Sequence, residues 1–438
     1  MILEKAWIIS ANMGLGHQRA TYPLREMAYE GIHLFGEGPF TSVKESRLWR
    51  LFSESYEFIS RTRQFPLIGS SLFSILEKLQ NISPYYPFRD RSYPSFQVKS
   101  LYSLIKRGMG HGLCSKLSSY KLPVITSFYA AAICAEELTD LPVYCIICDS
   151  DINRVWVSQN PARSRIVYFV PCGSSMRRLK QYGVPDERIF ITGFPLPLEN
   201  IGAGNMDILR HDIQKRLSNL DPTGRFMIIH GEEVKYYLGS NSHDYSTSQP
   251  LTITYSVGGA GAQTEIGFNA LSSLAPFIRS GKVNLNISVG IKSNVYSYFE
   301  KLIEKMRLKG DNMVRIIYSA DINEYFKKFN NALRTTDILW TKPSELSFYC
   351  GLGIPVIIAP PIGPHEVANK RWLMEIGAGI PQEEPRYCGE WIMDYIADRY
   401  FAQAAWDGFL FARKLGVHKI REVLETGSMV REISPVKR

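Results

Sequence analysis

The sequence predicts an α/β protein in which parallel sheets are covered by helices on both faces. Apolar runs long enough for buried strands alternate with helical patterns from the first residues onward, and this alternation is typical of doubly wound sheets. The chain has 438 residues, which exceeds the size at which one hydrophobic core usually stops growing. The alternation breaks once, at a stretch rich in Pro and Gly at residues 194–205, and then resumes. We therefore predict two α/β domains in succession.

The first domain is predicted over residues 1–200. Its strands are apolar throughout, which indicates burial on both faces of the sheet. The predicted strands are AWIIS, LPVIT, PVYCIIC, RIVYFV and RIFITGF. The predicted helices begin near Gln18, at SFYAAAICAEEL and at SSMRRLKQYG.

The second domain is predicted over residues 201–390. The predicted strands are LTITYSV, VNLNISVG, VRIIYS, DILWT and PVIIAP, with helices around Glu265–Ile278 and at YFEKLIEKM. Residues 223–249 are rich in Ser, Tyr and Gly and are predicted to form an insertion or a mobile hairpin. Residues 390–424 are predicted to be helical, and the C-terminal helices of residues 391–438 are expected to pack back toward the N-terminal domain.

The net charge of +9 is concentrated in residues 41–110, where eleven Lys and Arg stand against five Asp and Glu. These basic residues are interleaved with Trp, Phe, Tyr and Leu, a mixture that suits the headgroup level of an anionic membrane. The alternative is an ordinary amphipathic helix packed on its own domain. No nucleic-acid-binding motif accompanies the charge, so we expect no nucleic acid partner.

The start of the chain shows neither a secretory signal nor a membrane-spanning segment, which predicts a cytoplasmic protein. A membrane contact through residues 41–110 would then be peripheral, on the inner face. The seven cysteines have no regular spacing, so no disulfide framework is predicted. Cys145 and Cys148 form a CxxC pattern inside an apolar strand, and we interpret them as small core residues.

Each predicted domain opens with a strand, a glycine turn and a helix. The first turn contains Gly14, Gly16 and His17, and the second contains Gly258, Gly259 and Gly261. Glycines allow a ligand to approach the backbone closely, and a helix N-terminus attracts anions. The first turn lacks the Lys-Ser/Thr ending of a P-loop, and Arg19 stands at the third glycine position of a dinucleotide fingerprint. Neither turn identifies a cofactor by itself.

These pieces together resemble the GT-B glycosyltransferases of the group containing monogalactosyldiacylglycerol synthase, the processive diacylglycerol glucosyltransferases and, more distantly, MurG. The similarity covers most of the chain except residues 223–249. The motifs that carry it are MGLGHQRA, CDSDINRVW, YFVPCGSSMRRLKQYGVPDERIFITGFPLP, SVGGAG, SVGIKSN and DILWTKPSELSFYCGLGIPVIIAPPIGPHEVANKRWLMEIGAG. The resemblance implies a GT-B architecture, in which two Rossmann-like domains face each other across a cleft and a nucleotide sugar binds there.

The resemblance also implies site residues. His17 is expected to act as the catalytic base, with Asp149 or Asp151 orienting or replacing it. Residues expected to bind the donor are Gly258, Gly259, Gly261, Lys342, Glu345, His365, Glu366 and Asn369, with Glu366 and Asn369 contacting sugar hydroxyls. Residues expected on the acceptor side are Gly14, Gly16, Asn153 and Trp156. The alternative for His17 is a structural role at the start of the helix, and for Lys342 and Asn369 a surface charge and a helix cap.

The sequence departs from the family pattern at three places, one of which is His365, where the family has Gln. Asn153 stands where the family has His. The segment after Lys342 is shorter than in the family by about two residues. As a result, no residue clearly matches the acid that binds the ribose in the family. Cys350, Phe348 and Glu345 are the alternatives for that position. Asp149 and Asp151 spell a DxD pattern, but two acids without a third ligand are weak evidence, and we expect no metal and no cofactor.

The resemblance therefore predicts an inverting hexosyltransferase. The expected donor is a UDP-sugar, and the expected acceptor is a diacylglycerol-like lipid or another hydroxyl compound at the cytosolic membrane face. Histidine has an ordinary pKa of about 6.5 and is mostly a free base at neutral pH. Two alternatives stay open, a soluble UDP-sugar transferase or epimerase, and a catalytically degenerate GT-B module that binds a nucleotide or a partner without turnover.

Overall fold

The computed structural model describes five stretches of the chain, namely residues 5–62, 82–239, 249–258, 263–308 and 313–437. The chain divides into two compact units. Unit 1 comprises Met1–Pro195, Ile362–Asn369 and Gly416–Arg431, and unit 2 comprises Leu196–Pro361, Lys370–Leu415 and Glu432–Arg438. Each unit is built on one six-stranded parallel sheet. The predicted fold class, α/β with two Rossmann-like domains, is confirmed.

The sheet of unit 1 has the strand order β2-β1-β3-β4-β5-β6, with every neighbouring pair parallel. The strands are β1 (Ala6–Ser10), β2 (Ala28–Leu34), β3 (Val124–Thr126), β4 (Val143–Ile146), β5 (Val167–Phe169) and β6 (Ile189–Phe190). The first five follow the flavodoxin-like doubly wound order, in which ligands bind at the carboxyl ends of the strands.

The sheet of unit 2 has the order β12-β11-β10-β7-β8-β9, which is the Rossmann arrangement of two three-stranded halves around the first strand. Its strands are β7 (Leu251–Ser256), β8 (Val283–Gly290), β9 (Val314–Tyr318), β10 (Ile338–Thr341), β11 (Val356–Ile358) and β12 (Gly379–Pro381). β7 pairs with both β8 and β10, so the predicted second glycine turn follows the central strand of this sheet.

Helices connect the strands in both units. Within the described residues they are α1 (Leu15–Thr21), α2 (Val43–Thr62), α3 (Phe96–Lys106), α4 (His111–Leu117), α5 (Tyr129–Leu138), α6 (Gly173–Gln181), α7 (Leu198–Ile201), α8 (Asp207–Leu220), α9 (Arg225–Leu238), α10 (Thr264–Arg279), α11 (Ser293–Lys305), α12 (Ile322–Leu333), α13 (Pro364–Glu375), α14 (Cys388–Ala397), α15 (Tyr400–Phe411) and α16 (Gly416–Thr426). In the described part of the chain, no helix combines the length and apolarity needed to cross a bilayer.

Two local predictions were wrong or incomplete. Within residues 223–249, the chain forms helix α9 instead of a hairpin, because Asp221 accepts hydrogen bonds from the amides of Phe226 and Met227 at 3.0 Å and so caps the helix start. Residues 240–248 of that stretch lie outside the described residues. Strand β2 was not predicted, because its sequence AYEGIHL has Glu30 and Gly31 in the middle instead of a continuous apolar run; both residues adopt positive φ in the structure.

One face of β7 and β8 is polar although the strands lie in the middle of the sheet. Thr252 pairs in register with Asn284, and Thr254 pairs with Asn286. The hydroxyl of Thr254 lies 3.1 Å from the Asn286 amide nitrogen and 2.7 Å from the Thr336 hydroxyl. Parallel strands buried on both faces are ordinarily apolar. This polar face departs from that pattern, and its side chains hydrogen-bond to one another.

A buried carboxylate lies beside this polar face. Asp337 accepts hydrogen bonds from the Thr252 amide at 2.8 Å and from the Asn219 side chain at 3.1 and 3.2 Å. Burial raises the pKa of Asp337 to about 6, although these hydrogen bonds and the charge of Arg216 favour the ionised form. Burial likewise lowers the pKa of Arg216 to about 10.

We expect the stability of the protein to fall as the pH rises through the range in which Asp337 loses its proton. The pKa of Asp337 is near 4 in the unfolded chain and about 6 in the folded one, so the folded state binds the extra proton between these values. The free energy of unfolding should therefore decrease as the pH rises through this window, with a slope of at most about 1.4 kcal/mol per pH unit. Urea titrations from pH 4 to 7 measure it, and Asp337→Asn should remove that component. An equal slope in the variant would contradict the assignment.

Candidate functional site

The first glycine turn places a histidine at the carboxyl end of the unit 1 sheet. Gly14 adopts φ +90°, a conformation that L-residues other than glycine rarely accept, and helix α1 begins at the next residue. His17 is the third residue of that helix. The turn therefore brings the chain from β1 into a helix within four residues and leaves His17 partly exposed.

The ring of His17 is held in one tautomer. Its Nδ1 lies 2.7 Å from the backbone oxygen of Ser127, and a carbonyl oxygen can only accept a hydrogen bond. Nδ1 therefore carries the hydrogen, and the neutral ring has its lone pair on Nε2. In return the Ser127 hydroxyl donates to the His17 carbonyl at 2.9 Å. Ser127 follows β3 directly, so adjacent strands β1 and β3 position the ring together.

Two aromatic rings form the wall beside His17. Phe128 contacts the imidazole edge-on with ring centroids 5.2 Å apart, and the ring of Trp156 lies 6.1 Å away. Trp156 ends a short 3-10 helix of residues Arg154–Trp156, which Asn153 precedes. The predicted acceptor-side residue Trp156 and the predicted base are thus neighbours. The Oδ1 atom of Asn153 is buried and makes no hydrogen bond to the described part of the chain.

Asn369 joins the strand end at Asp149 to the segment of residues 362–369. Its side-chain nitrogen donates to Asp149 Oδ1 at 2.8 Å, and its side-chain oxygen accepts from the amide of Ser150 at 2.8 Å. Both Asn369 and Ser150 are fully buried. The sequence predicts that Asn369 contacts a sugar hydroxyl, whereas in this structure its amide orients Asp149.

Asp151 is held by a buried cation. Arg178 on α6 donates through Nε to Asp151 Oδ1 at 2.7 Å and through Nη2 to Oδ2 at 2.8 Å. Burial opposes the charge of Arg178, but the hydrogen bonds and attraction of Asp151 outweigh it, and the pKa of Arg178 is raised. Sequence reasoning missed Arg178, whose only signal was its place in the SSMRRLKQYG motif. This bidentate pair favours a structural role for Asp151, and Asp149 remains the candidate for an acid that acts with His17.

Removal of the Asp151 carboxylate should destabilise unit 1. Asp151→Ala leaves the buried guanidinium of Arg178 without its counter-ion, and we expect the free energy of unfolding to fall by about 2 to 3 kcal/mol. The loss is smaller than for a fully buried ion pair because Asp151 is 23% exposed. The matched control is Asp186→Ala, which breaks an exposed ion pair with Lys180. Lys180 lies on the same helix as Arg178, and the loss of this pair should change stability little. Chemical denaturation measures both, and equal effects would contradict this role for Asp151.

The segment before Asn369 is organised by Glu366. This buried carboxylate accepts a hydrogen bond from the Ile362 amide at 2.6 Å, at the start of helix α13. The neighbouring His365 is 42% exposed, and its Nε2 lies 3.9 Å from Glu366 Oε1. Of the three residues predicted to bind the donor here, His365 is the accessible one.

In unit 2 the predicted donor residues follow the carboxyl ends of two adjacent strands. Gly258 follows β7, Lys342 follows β10, and Glu345 begins a 3-10 helix of residues Glu345–Leu352. Gly259 and Gly261 lie outside the described residues. The carboxyl edge of such a sheet is where α/β proteins bind ligands.

The three candidates for the ribose contact differ in burial. Cys350 is fully buried and Phe348 is 2% exposed, packed on the ring of Trp372 with centroids 4.9 Å apart. Burial raises the pKa of the Cys350 thiol far above its ordinary value, so it does not offer a charged acceptor. Glu345 is partly exposed. Of the three, only Glu345 is an acid with a partly exposed side chain.

Comparisons with known proteins give one family match and several structural matches. The model of a domain of unknown function, DUF6938, matches residues 241–313 and 300–391. No curated protein sequence matches the chain.

Solved structures are similar over nearly the whole chain. A structure of S. aureus MnaA with UDP has 11% identity and a TM-score of 0.48, covering 96% of each chain. Acinetobacter baumannii MurG has 12% identity and a TM-score of 0.47, covering 96% of this chain and 99% of its own. Neisseria meningitidis UDP-GlcNAc 2-epimerase bound to UDP-GlcNAc has 13% identity and a TM-score of 0.47, covering 96% and 100%. MurG belongs to the group that the sequence resembles, and the likeness concerns the fold.

Proposed function

We propose that the protein is an inverting glycosyltransferase that uses a UDP-sugar and a hydroxyl acceptor. The observation that carries the proposal is the His17 ring, whose tautomer is set by the Ser127 carbonyl at the carboxyl ends of β1 and β3. An imidazole that presents its lone pair at Nε2 is suited to remove a proton from an acceptor hydroxyl. The motif order of the sequence supports the same assignment.

The reaction would proceed in one displacement. His17 Nε2 takes the proton of the acceptor hydroxyl while the acceptor oxygen forms a bond to the anomeric carbon of the sugar. The bond from that carbon to the diphosphate oxygen breaks, and UDP leaves with the electron pair. Asp149, oriented by Asn369, would stabilise the imidazolium or orient the acceptor.

Unit 2 supplies the donor-binding residues in this proposal. The backbone at Gly258 and the N-terminus of α10 would receive the diphosphate, because the positive end of a helix dipole favours anions. Glu345 would accept hydrogen bonds from the ribose, and Lys342 would contribute positive charge toward the phosphates. MnaA and the Neisseria epimerase are described as bound to UDP or UDP-GlcNAc, which agrees with the choice of nucleotide.

The donor assignment is tested by ligand binding and product analysis. We expect UDP to raise the melting temperature, Glu345→Gln to weaken the effect, and the exposed Glu324→Gln on α12 to leave it unchanged. Incubation with a panel of UDP-sugars and hydroxyl acceptors should release UDP and form a glycoside. Recovery of an epimerised UDP-sugar without UDP release would replace the transferase by an epimerase, and absence of any shift with UDP would reject the donor assignment.

We further propose that the acceptor is a lipid at an anionic membrane surface. The supporting feature is a group of exposed aromatic residues on unit 1, here called the aromatic surface: the rings of Tyr86 and Phe88 lie 5.0 Å apart, Tyr93 and Phe96 follow along the chain, and each is 68–77% exposed. The exposed Arg89 lies within it. Such amphipathic rings beside basic residues suit the headgroup region of a bilayer.

The aromatic surface is anchored close to the proposed active centre. The ring of Tyr85, next to Tyr86, lies 5.3 Å from the guanidinium of Arg178, the residue that holds Asp151. The Gln181 side chain also donates to the Tyr85 carbonyl at 3.4 Å. Helix α6 therefore connects this surface with the strand end that carries Asp149 and Asp151.

The membrane assignment predicts binding to vesicles that contain an anionic phospholipid. We expect the double variant Tyr86→Ala, Phe88→Ala to bind such vesicles at least about tenfold more weakly, because each ring buries apolar area at the interface. Charge reversal of the exposed Arg47 and Arg50 should weaken binding further at low salt. Tyr236→Ala, which removes an exposed ring on unit 2, is the matched control. Sedimentation with vesicles measures the effect, and unchanged binding would reject this surface.

A further inference from the structure

Unit 2 contains a polar cavity at the amino ends of its strands, opposite to the carboxyl ends where the donor site is proposed. The cavity has a volume of about 500 Å³ and is lined by residues at or just before the starts of β7, β8, β9 and β10. Gly258 and Lys342 follow the other ends of β7 and β10. Because Thr252 in the cavity wall precedes Gly258 by six residues of extended chain, the two sites are about 20 Å apart.

The cavity wall is polar on both the helix and the strand side. Helix α8 presents Asp212, Lys215, Arg216 and Asn219 to it, a spacing that forms one helix face. The strands present Thr252, Asn284 and Asn286 from the polar face described above. A helix that covers a sheet ordinarily turns apolar side chains toward it. The polar groups on both sides therefore indicate a ligand site.

The charge of the described wall is positive. Arg334 pairs with Asp212 through two hydrogen bonds, and the charges of Arg216 and Lys215 both favour the ionised form of Asp337 against the effect of its burial. Lys215 and Arg315 are both exposed at the rim. Among the described residues, neither Lys215 nor Arg315 forms a salt bridge. The described wall thus holds four cationic side chains against two carboxylates, an excess of two positive charges that a ligand can balance.

We infer that this cavity binds a small phosphorylated polyol, such as a sugar monophosphate. Lys215 and Arg315 would hold the phosphate, whose charge of nearly two matches the uncompensated charge of the rim. Asn284 and the neighbouring polar strand residues would hydrogen-bond the hydroxyl groups. The volume lies within the range of about 300 to 1,000 Å³ that is usual for small-molecule sites.

The test is calorimetric titration of the full-length protein with two probes, inorganic phosphate and a hexose 6-phosphate. We expect both to bind, the hexose phosphate more tightly. Lys215→Glu and Arg315→Glu should each weaken both probes by about tenfold to a hundredfold, because a charge-assisted contact is replaced by repulsion. Asn284→Ala should weaken the hexose phosphate alone. Lys301→Glu, the same charge change at an exposed position of α11, should have no effect.

Three results would overturn the inference: no binding of either probe at millimolar concentration, binding that Lys215→Glu and Arg315→Glu leave unchanged, or equal affinities for the two probes. Both substituted side chains are exposed, so the variants should fold. Neither probe is a nucleotide, and the result is therefore independent of whether the protein uses a UDP-sugar.

Discussion

Replacement of His17 by alanine should lower kcat for sugar transfer by about two to four orders of magnitude, the usual contribution of a general base. His17→Asn is the more informative variant. The asparagine side-chain nitrogen can occupy the place of Nδ1 and donate to the Ser127 carbonyl, which accepts from His17 at 2.7 Å. The variant therefore keeps the local hydrogen bond and lacks the base. We expect it to be nearly as stable as the native protein and as inactive as His17→Ala.

The matched control for the base is His111→Ala. His111 is an exposed histidine on the same unit, and its Nε2 lies 3.1 Å from the Ile105 carbonyl. Its removal should leave kcat unchanged. Initial rates with a saturating UDP-sugar and circular dichroism of each variant separate activity from folding. Full activity of His17→Asn would show that another group takes the proton, even if the donor binding proposed above is correct.

The position of His17 was predictable, but the way it is held was not. A glycine turn between an apolar strand and a helix places the third helical residue at the carboxyl edge of a sheet, and this follows from local pattern alone. The acceptor for Nδ1 is a backbone carbonyl 110 residues away. Any residue type has such a carbonyl, so no side chain in the sequence marks Ser127 as the partner.

A similar limit applies to the strands and to unit 2. Strands such as β1 and β7 were predictable because their residues are apolar or β-branched over four or more positions. The polar residues of β7 and β8 can be read from the sequence stretches LTITYS and VNLNIS. Whether they form one polar face depends on the strand register, which sets Thr252 beside Asn284. The preference for Glu345 over Cys350 as the ribose contact likewise depends on how buried each side chain is, and the spacing of residues in the sequence does not reveal burial.

Removal of the Asn369 side chain should affect stability and catalysis together. Asn369→Ala leaves the buried Ser150 amide without its acceptor and Asp149 without its donor. We expect a loss of about 2 to 4 kcal/mol in the free energy of unfolding. The exposed Asn331→Ala on α12 should cost little. Assayed well below its melting temperature, Asn369→Ala should also show at least about a tenfold lower kcat with an unchanged KM for the UDP-sugar, because Asp149 is no longer oriented.

Asn369→Asp separates orientation of Asp149 from packing. The new carboxylate keeps an acceptor for the Ser150 amide but meets the carboxylate of Asp149, which lies 2.8 Å from the nitrogen it replaces. Two carboxylates at that distance raise the pKa of one of them, and a shared proton restores the hydrogen bond. The stability of Asn369→Asp should therefore recover partly as the pH falls below about 5, whereas that of Asn369→Ala should not. Parallel pH profiles for the two variants would show that residue 369 does not meet the carboxylate of Asp149, and that the orientation of Asp149 does not depend on this amide.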